Sequence, residues 1–188
     1  MYVPKHNLMT DRDEMIAFMQ DHPFAIVISG SGSRPVATHM PVVVRQRNDD
    51  VVCTFHLSRA NDHWKELTGG ETLVIFSGDH AYIPPSIYTA IDVPTWNYTT
   101  VHAYGDSAIV TDAEAVRDRL RTLIEIHDAD PGLWERLTPD LVDPLLGGIV
   151  MVDMRVRELQ GKHKMGQNRS AADQEAVRIH MESLRSRP

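Results

Sequence analysis

V-P-T-W-N-Y-T-T-V-H-A-Y-G, residues 93–105, puts two kinds of information on one strand. Pro94 has no amide N–H to give a central ladder, so it starts the strand rather than sits inside it. From Trp96 onward the two-residue period sends Trp96, Tyr98, Thr100, His102 and Tyr104 to one face. Asn97, Thr99, Val101 and Ala103 go to the other. An aromatic face beside amide and hydroxyl groups is what a strand lining a cofactor cleft looks like. A sheet surface with ordinary cross-strand aromatic pairs has the same pattern, and the strand alone leaves both readings open. The strand runs on past Gly105 through S-A-I-V.

Upstream of it, Thr72 to Ser77 (T-L-V-I-F-S) is an apolar run suited to a buried strand. The following H-A-Y-I-P-P-S-I-Y reads as a loop, because Pro84-Pro85 forbid helix and favour an extended path. Further back, Phe24–Ser29 is a buried strand, Gly30–Ser33 a turn, and Arg34–Gln46 a second strand with Pro41 marking an edge or bulge; these two form a hairpin. A turn at Arg47–Asp50 leads to a third strand, residues 51–57, which stops at Ser58. Ser58 reads as the cap of a short helix in which Ala60, Trp64 and Leu67 share a face. Near the start, Thr10 with Asp13 opens a helix that ends by Asp21 or His22, before Pro23.

Downstream, Thr111 and Glu114 form a capping box for a helix to His127, with Val116, Leu120, Leu123, Ile124 and His127 on one face. Pro131–Trp134 is loop, Thr138-Pro139 starts a short helix, and Ile149–Leu159 is the last long strand. Gly161–Arg169 reads as a basic, amide-rich loop, and Ser170–Leu184 as a polar helix. The 188 residues, 42% hydrophobic, are enough for one domain with a full core, so residues 1–188 are read as a single domain. Six or seven strands and a few helices give a mainly β protein with peripheral helices, a small β-barrel.

Charge and cysteine content narrow the function. A formal net charge of −7 argues against coating nucleic acid with a generally basic surface. The lone Cys53 permits no intrachain disulfide and fits a reducing compartment as a core thiol. No apolar signal core or membrane-length run is present, so the chain reads as soluble and cytoplasmic, with no membrane partner. Metal-site spacing, a P-loop, a dinucleotide-binding glycine pattern and a nucleophile elbow are all missing.

Three other polar stretches could carry chemistry. His56-Leu57-Ser58-Arg59-Ala60-Asn61 joins a strand end to a helix start, where backbone N–H groups, a hydroxyl and a guanidinium suit a phosphate; a cap with a solvated arginine fits equally. Lys162–Arg169 is either a phosphate or ring-edge clamp or a solvated basic loop. Thr38-His39 is a polar break in an apolar strand, where the plain reading is a buried, hydrogen-bonded histidine.

Taken together, M-Y-V-P-K-H, A-T-H-M-P (37–41), H-L-S-R-A-N (56–61) with Trp64, H-A-Y-I-P-P-S-I-Y (80–88), V-P-T-W-N-Y (93–98), V-H-A-Y-G (101–105) and K-M-G-Q-N-R-S (164–170) resemble the PaiB family of FMN-binding negative transcriptional regulators, within the FMN-binding split-barrel superfamily. The resemblance is close to full length. It implies a six-stranded split β-barrel that forms a homodimer with an FMN in each of two clefts at the subunit interface. It also implies phosphate contacts from Arg59, Asn61, Ser58 and Lys65, ring contacts from His39, Trp96 and Asn97, and closure by Lys164, Gln167 and Arg169, with the 162–185 loop and helix packed near the cleft. Repression of transcription, through DNA directly or through a partner, is the implied activity, although no helix-turn-helix is visible. A flavin-dependent oxidoreductase related to pyridoxamine-phosphate oxidase or haem-utilisation split-barrel proteins is the alternative, and a barrel with an empty cleft the plainest one.

Overall fold

The computed structural model describes residues 1–30, 34–90 and 92–185, Arg185 by its backbone alone. The expected turn after Gly30 lies, from residue 31 on, outside the described residues. In chain order the elements are β1 (Leu8–Met9), α1 (Arg12–Asp21), β2 (Phe24–Ser29), β3 (Val36–Pro41), β4 (Val43–Arg47) and β5 (Asp50–Ser58). They continue with β6 (Glu71–Ile83), β7 (Thr95–Ile109), α2 (Ala113–His127), α3 (Leu133–Arg136), α4 (Pro139–Gly148), β8 (Ile149–Lys164) and α5 (Ala171–Arg185). Single 3-10 turns sit at Lys5–Asn7, Asp62–Glu66 and Pro85–Ile87.

The hydrogen-bonded order of the sheet is β3-β2-β6-β7-β8-β5-β4, with β1 on β8. Its two ends, β3 and β4, are separated in sequence by Val42 alone. The second strand expected from the sequence is therefore one strand broken after Pro41, where the Val42 N–H turns to the Pro23 carbonyl (2.8 Å). Counted that way, and leaving out the two-residue β1, the sheet has six strands. The expected hairpin of Phe24–Ser29 with this strand is β2–β3, paired antiparallel from Phe24↔Pro41 to Ser29↔Val36.

The chain divides into two compact units, and β6, β7 and β8 each contribute to both. One comprises Met1–His22, Ile75–His102 and Leu159–Pro188. In it α1 buries Met15, Ile16 and Met19, and α5 buries Val177 against Ala81 and Ile83, with Ile87, Tyr88, Met181 and Leu184 around them. The other comprises Pro23–Val74 and Ala103–Glu158, with a core of Val27, Val51, Cys53, Phe55, Val74, Val152 and Met154. Burial pushes the Cys53 thiol up to about 12, as befits an inert core thiol.

Several boundaries differ from the sequence reading, each for a local reason. The α1 cap is Asp11, whose carboxylate accepts from the Asp13 and Glu14 N–H groups, rather than Thr10. The α2 cap is Asp112, which accepts from Ala115 N, rather than Thr111. Residues 80–83 belong to β6 rather than to a loop, because the prolines act only from position 84 on; buried Ala81 and Ile83 alternate with exposed His80 and Tyr82. Residues 161–164 belong to β8 rather than to the basic loop; Gly161 pairs with Met9 and Lys162 with Leu8. Leu133 and Trp134, expected as the end of a loop, open the single turn α3 (Leu133–Arg136).

At Gly105 the backbone of β8 leaves no room for a side chain on β7. A β-carbon there would stand 2.2 Å from the Arg155 carbonyl oxygen and 2.9 Å from its carbon. Backbone cannot yield as a flexible side chain would, so Gly105→Ala is expected to cost about 3 kcal/mol or more, at or beyond the upper end of overpacking penalties. Chemical denaturation measures this; a loss below about 1 kcal/mol would contradict the close approach.

Candidate functional site

The end of β5 is built around an arginine that satisfies a helix terminus. The last carbonyls of a helix have no partners within it. At the end of α4, Gly148 O accepts from the Arg59 backbone N–H (2.8 Å), Gly147 O from Arg59 Nε (2.9 Å) and Ile149 O from Arg59 Nη2 (2.9 Å). Arg59 is thus held along the Nε–Nη2 edge of its guanidinium rather than free in solvent, while Nη1 has no partner among the described residues. It lines a cavity of about 410 Å³ with Trp64, Thr111, Val116, Gly147 and Met151.

Ser58 does not cap a helix: its hydroxyl accepts from Ala60 N (3.3 Å). The cap is Asn61, whose Oδ1 accepts from His63 N (3.1 Å), and the expected helix is the 3-10 turn Asp62–Glu66. Lys65 is exposed and pairs with Asp62 at 2.6 Å, apart from the Arg59 contacts. The structure therefore brings Ser58, Arg59 and Asn61 together in one turn and leaves Lys65 on its rim.

The buried histidine is not His39. His39 is exposed on β3, its ring 6.4 Å from that of Phe24. Its neighbour Thr38 points the other way and meets His63, which is 2% exposed. Thr38 Oγ1 lies 2.7 Å from His63 Nδ1 and 3.4 Å from Asn61 Nδ2, and Ser29 Oγ lies 3.0 Å from His63 Nε2. Sequence reading missed this cluster. The Asn-x-His spacing at 61–63 was its only local signal, since the Thr38 and Ser29 contacts come from other strands.

On β7, Trp96 is 53% exposed, with His80 at 5.5 Å and Tyr82 at 6.3 Å between ring centroids. Beside it a cavity of about 340 Å³ is lined by Ser77, Gly78, His80, Tyr98 and Thr100. Asn97 is 1% exposed, and its amide Nδ2 has no hydrogen-bond partner among the described residues. Lys164 donates to Thr95 Oγ1 and to Trp96 O (2.8 Å), so it is tied to the start of β7 beside Trp96. Lys162 is buried, its ammonium 5.1 Å over the Tyr98 ring. Gln167 and Arg169 stand elsewhere: Gln167 folds its own loop by donating to His163 O and accepting from Met165 N (2.9 Å). Arg169 is ion-paired with Asp92 and lies 4.9 Å over Tyr88. His163, also missed, meets Thr99 Oγ1 at 2.8 Å. Among the described residues no group of three or more His, Cys, Asp or Glu could hold a metal, and no helix is long and apolar enough to cross a membrane.

Comparison with known proteins gives this geometry a context. The sequence profile of the family described as "Putative FMN-binding domain" matches residues 1–158. The chain belongs to this FMN-binding family. It is 35% identical over 176 residues to the protease synthase and sporulation protein PAI 2 of Bacillus subtilis, covering 92% of this chain and 85% of that protein. Among solved structures, the flavocytochrome Anf3 of Azotobacter vinelandii superposes with a TM-score of 0.68 at 21% identity, over 88% of this chain and 73% of that one. An FAD- and heme-binding protein of Mycobacterium smegmatis gives 0.65 at 18% identity, over 91% and 80%. The PaiB resemblance and the split-barrel fold expected from the sequence are both borne out.

FMN is the cofactor of this family, and the residues present fit it. A phosphate needs charged and neutral donors, which Arg59 Nη1 and the Ser58 hydroxyl offer. A ring edge carries carbonyl oxygens and ring nitrogens, which suit the unpartnered Asn97 amide; a buried donor left unpaired is costly unless something accepts from it. Bound, FMN would supply two-electron or one-electron redox chemistry.

Burial holds the His63 imidazole below its usual pKa, against the upward pull of the Glu66 charge, and burial alone does so for His56. A histidine lowered in the folded state binds fewer protons there than when unfolded, so its stability contribution is full above the unfolded value of about 6.5 and falls as pH drops below it. The melting temperature is therefore expected to decline by several degrees from about pH 7.5 to about pH 5.5, less steeply in His63→Gln. A flat profile in the unsubstituted protein would contradict the burial of these rings.

Proposed function

We propose that this protein is a PaiB-type negative regulator of transcription, a cytoplasmic homodimer that binds FMN in clefts at the subunit interface. The observation that carries the regulatory part is the 35% identity to PAI 2 over 92% of the chain. Residues 1–188 act in this reading as one FMN-binding domain, with 162–185 near the cofactor cleft. The phosphate is assigned to Arg59, Ser58 and Asn61 with Lys65 at the rim, and the ring to His39, Trp96 and Asn97. Lys164, Gln167 and Arg169 are assigned to closing the cleft.

Dimer formation is supported by the outer face of β2–β3. There Phe24, Ile26 and Ile28 lie in register with Pro41, His39 and Ala37, so the face is apolar on β2 and apolar around His39 on β3, and Phe24 is 66% exposed. A two-stranded apolar face left in water is a mark of an interaction surface.

Action through a protein partner is favoured over direct DNA contact, because among the described residues the basic side chains of the 162–178 stretch are already engaged. Lys162 and Lys164 are held as described above, Arg169 by Asp92, and Arg178 between Glu175 and Glu182. The cavity beside Trp96 favours a flavin-dependent oxidoreductase as a second reading, since it leaves room for a co-substrate next to a ring. Rapid turnover of bound flavin with a nicotinamide donor and an acceptor would move the conclusion there.

Titration with FMN, followed by flavin fluorescence, is expected to show binding that Arg59→Ala weakens about tenfold, or about 1.4 kcal/mol. An absence of binding at micromolar protein would overturn the reading. Phe24→Asp is expected to convert a dimer into a monomer in sedimentation velocity, and a dimer that survives this change would remove the β2–β3 face from the interface.

A further inference from the structure

We infer that His63 and Thr38 are positioning residues, which touch no ligand but hold the Ser58–Asn61 turn in the shape that selects a phosphate-bearing flavin; this rests on the flavin reading above. The turn is wound by its own short bonds: Asn61 N donates to Ser58 O (2.9 Å), Ala60 N to Ser58 Oγ and His63 N to Asn61 Oδ1. Such bonds shape a turn without tying it to the sheet. Arg59 ties it to the end of α4 on one side. On the other side the tie is His63, whose ring bridges Ser29 of β2 and Thr38 of β3.

The protons can be placed so that every group is used. With Nε2 protonated, His63 donates to Ser29 Oγ, and the Thr38 hydroxyl donates to Nδ1. Thr38 Oγ1 then keeps lone pairs for the Asn61 amide. One hydroxyl thereby orients both the imidazole and the cap of the turn. Its removal leaves His63 Nδ1 buried without a donor and Asn61 Nδ2 without an acceptor, so the turn loses its register on β2–β3. Ser58 and Arg59 precede that cap by three and two residues. A loosened turn lowers the contribution of the phosphate to binding more than that of the ring.

The test compares FMN with riboflavin, which has the same ring and no phosphate, on the full chain. The ratio of the two dissociation constants isolates the phosphate and is insensitive to a general loss of stability. The unsubstituted protein is expected to prefer FMN by about tenfold or more, and Thr38→Val and His63→Gln to reduce that preference at least about threefold with riboflavin affinity held. Thr38→Ser, which keeps the hydroxyl, is expected to retain the preference. If His63→Gln fails to fold, as read by circular dichroism, Thr38→Val carries the test. An unchanged preference in folded Thr38→Val overturns the positioning role while leaving the flavin reading intact. Equal affinity for FMN and riboflavin in the unsubstituted protein overturns the phosphate assignment itself, and the absence of any flavin binding overturns the flavin reading with it.

Discussion

The Arg155 carbonyl occupies the space where a side chain at position 105 would begin. Only glycine fits at this point of β7, which favours one register of β7 against β8. In a strand a slip of one residue exchanges the two faces, so a fixed point determines which side chains along β7 point inward. Asn97, Thr99, Val101 and Ala103 are buried, while Trp96 stands out in solvent. The amide that would face a ring edge and the indole that would lie against its plane are sorted by this one constraint.

Among the described residues the buried His56 Nδ1, like the Asn97 amide, has no hydrogen-bond partner, while other polar groups of the structure are satisfied. Arg59 serves the α4 terminus, Thr54 donates to Asp153 at 2.7 Å and Arg119 grips the same carboxylate, and Thr100 donates to Phe76 O at 2.7 Å. The Asp153 carboxyl is held below its usual range by these hydrogen bonds, against the upward effect of its own burial. Against that background the Asn97 amide, buried and unpaired, marks a place where an acceptor from outside the described residues is wanted. Trp96, half exposed beside an open cavity, has the same character on the apolar side.

Much of the fold was legible because it rests on local periodicity. The alternation of β7, the proline before it, the bounds of β2 and the extent of α2 all follow from the identity of neighbouring residues. What could not be read depended on partners distant in sequence. β6 runs through residues whose loop-like composition is overruled by pairing and by the burial of Ala81 and Ile83. β8 continues to Lys164 because β1, a two-residue strand with no signal of its own, pairs there. Caps moved by one position where a threonine and an aspartate are adjacent, since the choice depends on backbone angles. In the candidate site, Ser58, Arg59 and Asn61 were legible as a strand end with phosphate donors, and Trp96 and Asn97 as a strand with two faces. His63 was not, because its partners Ser29 and Thr38 reach it through strand pairing.

The most direct measurement is an experimental structure of this chain with FMN bound. The phosphate is expected against Arg59 Nη1 and the Ser58 hydroxyl, and a ring-edge acceptor within hydrogen-bond reach of an Asn97 amide. A phosphate held elsewhere, for example at the β4 arginines Arg45 and Arg47, with the Ser58–Asn61 turn free of ligand, would contradict this placement.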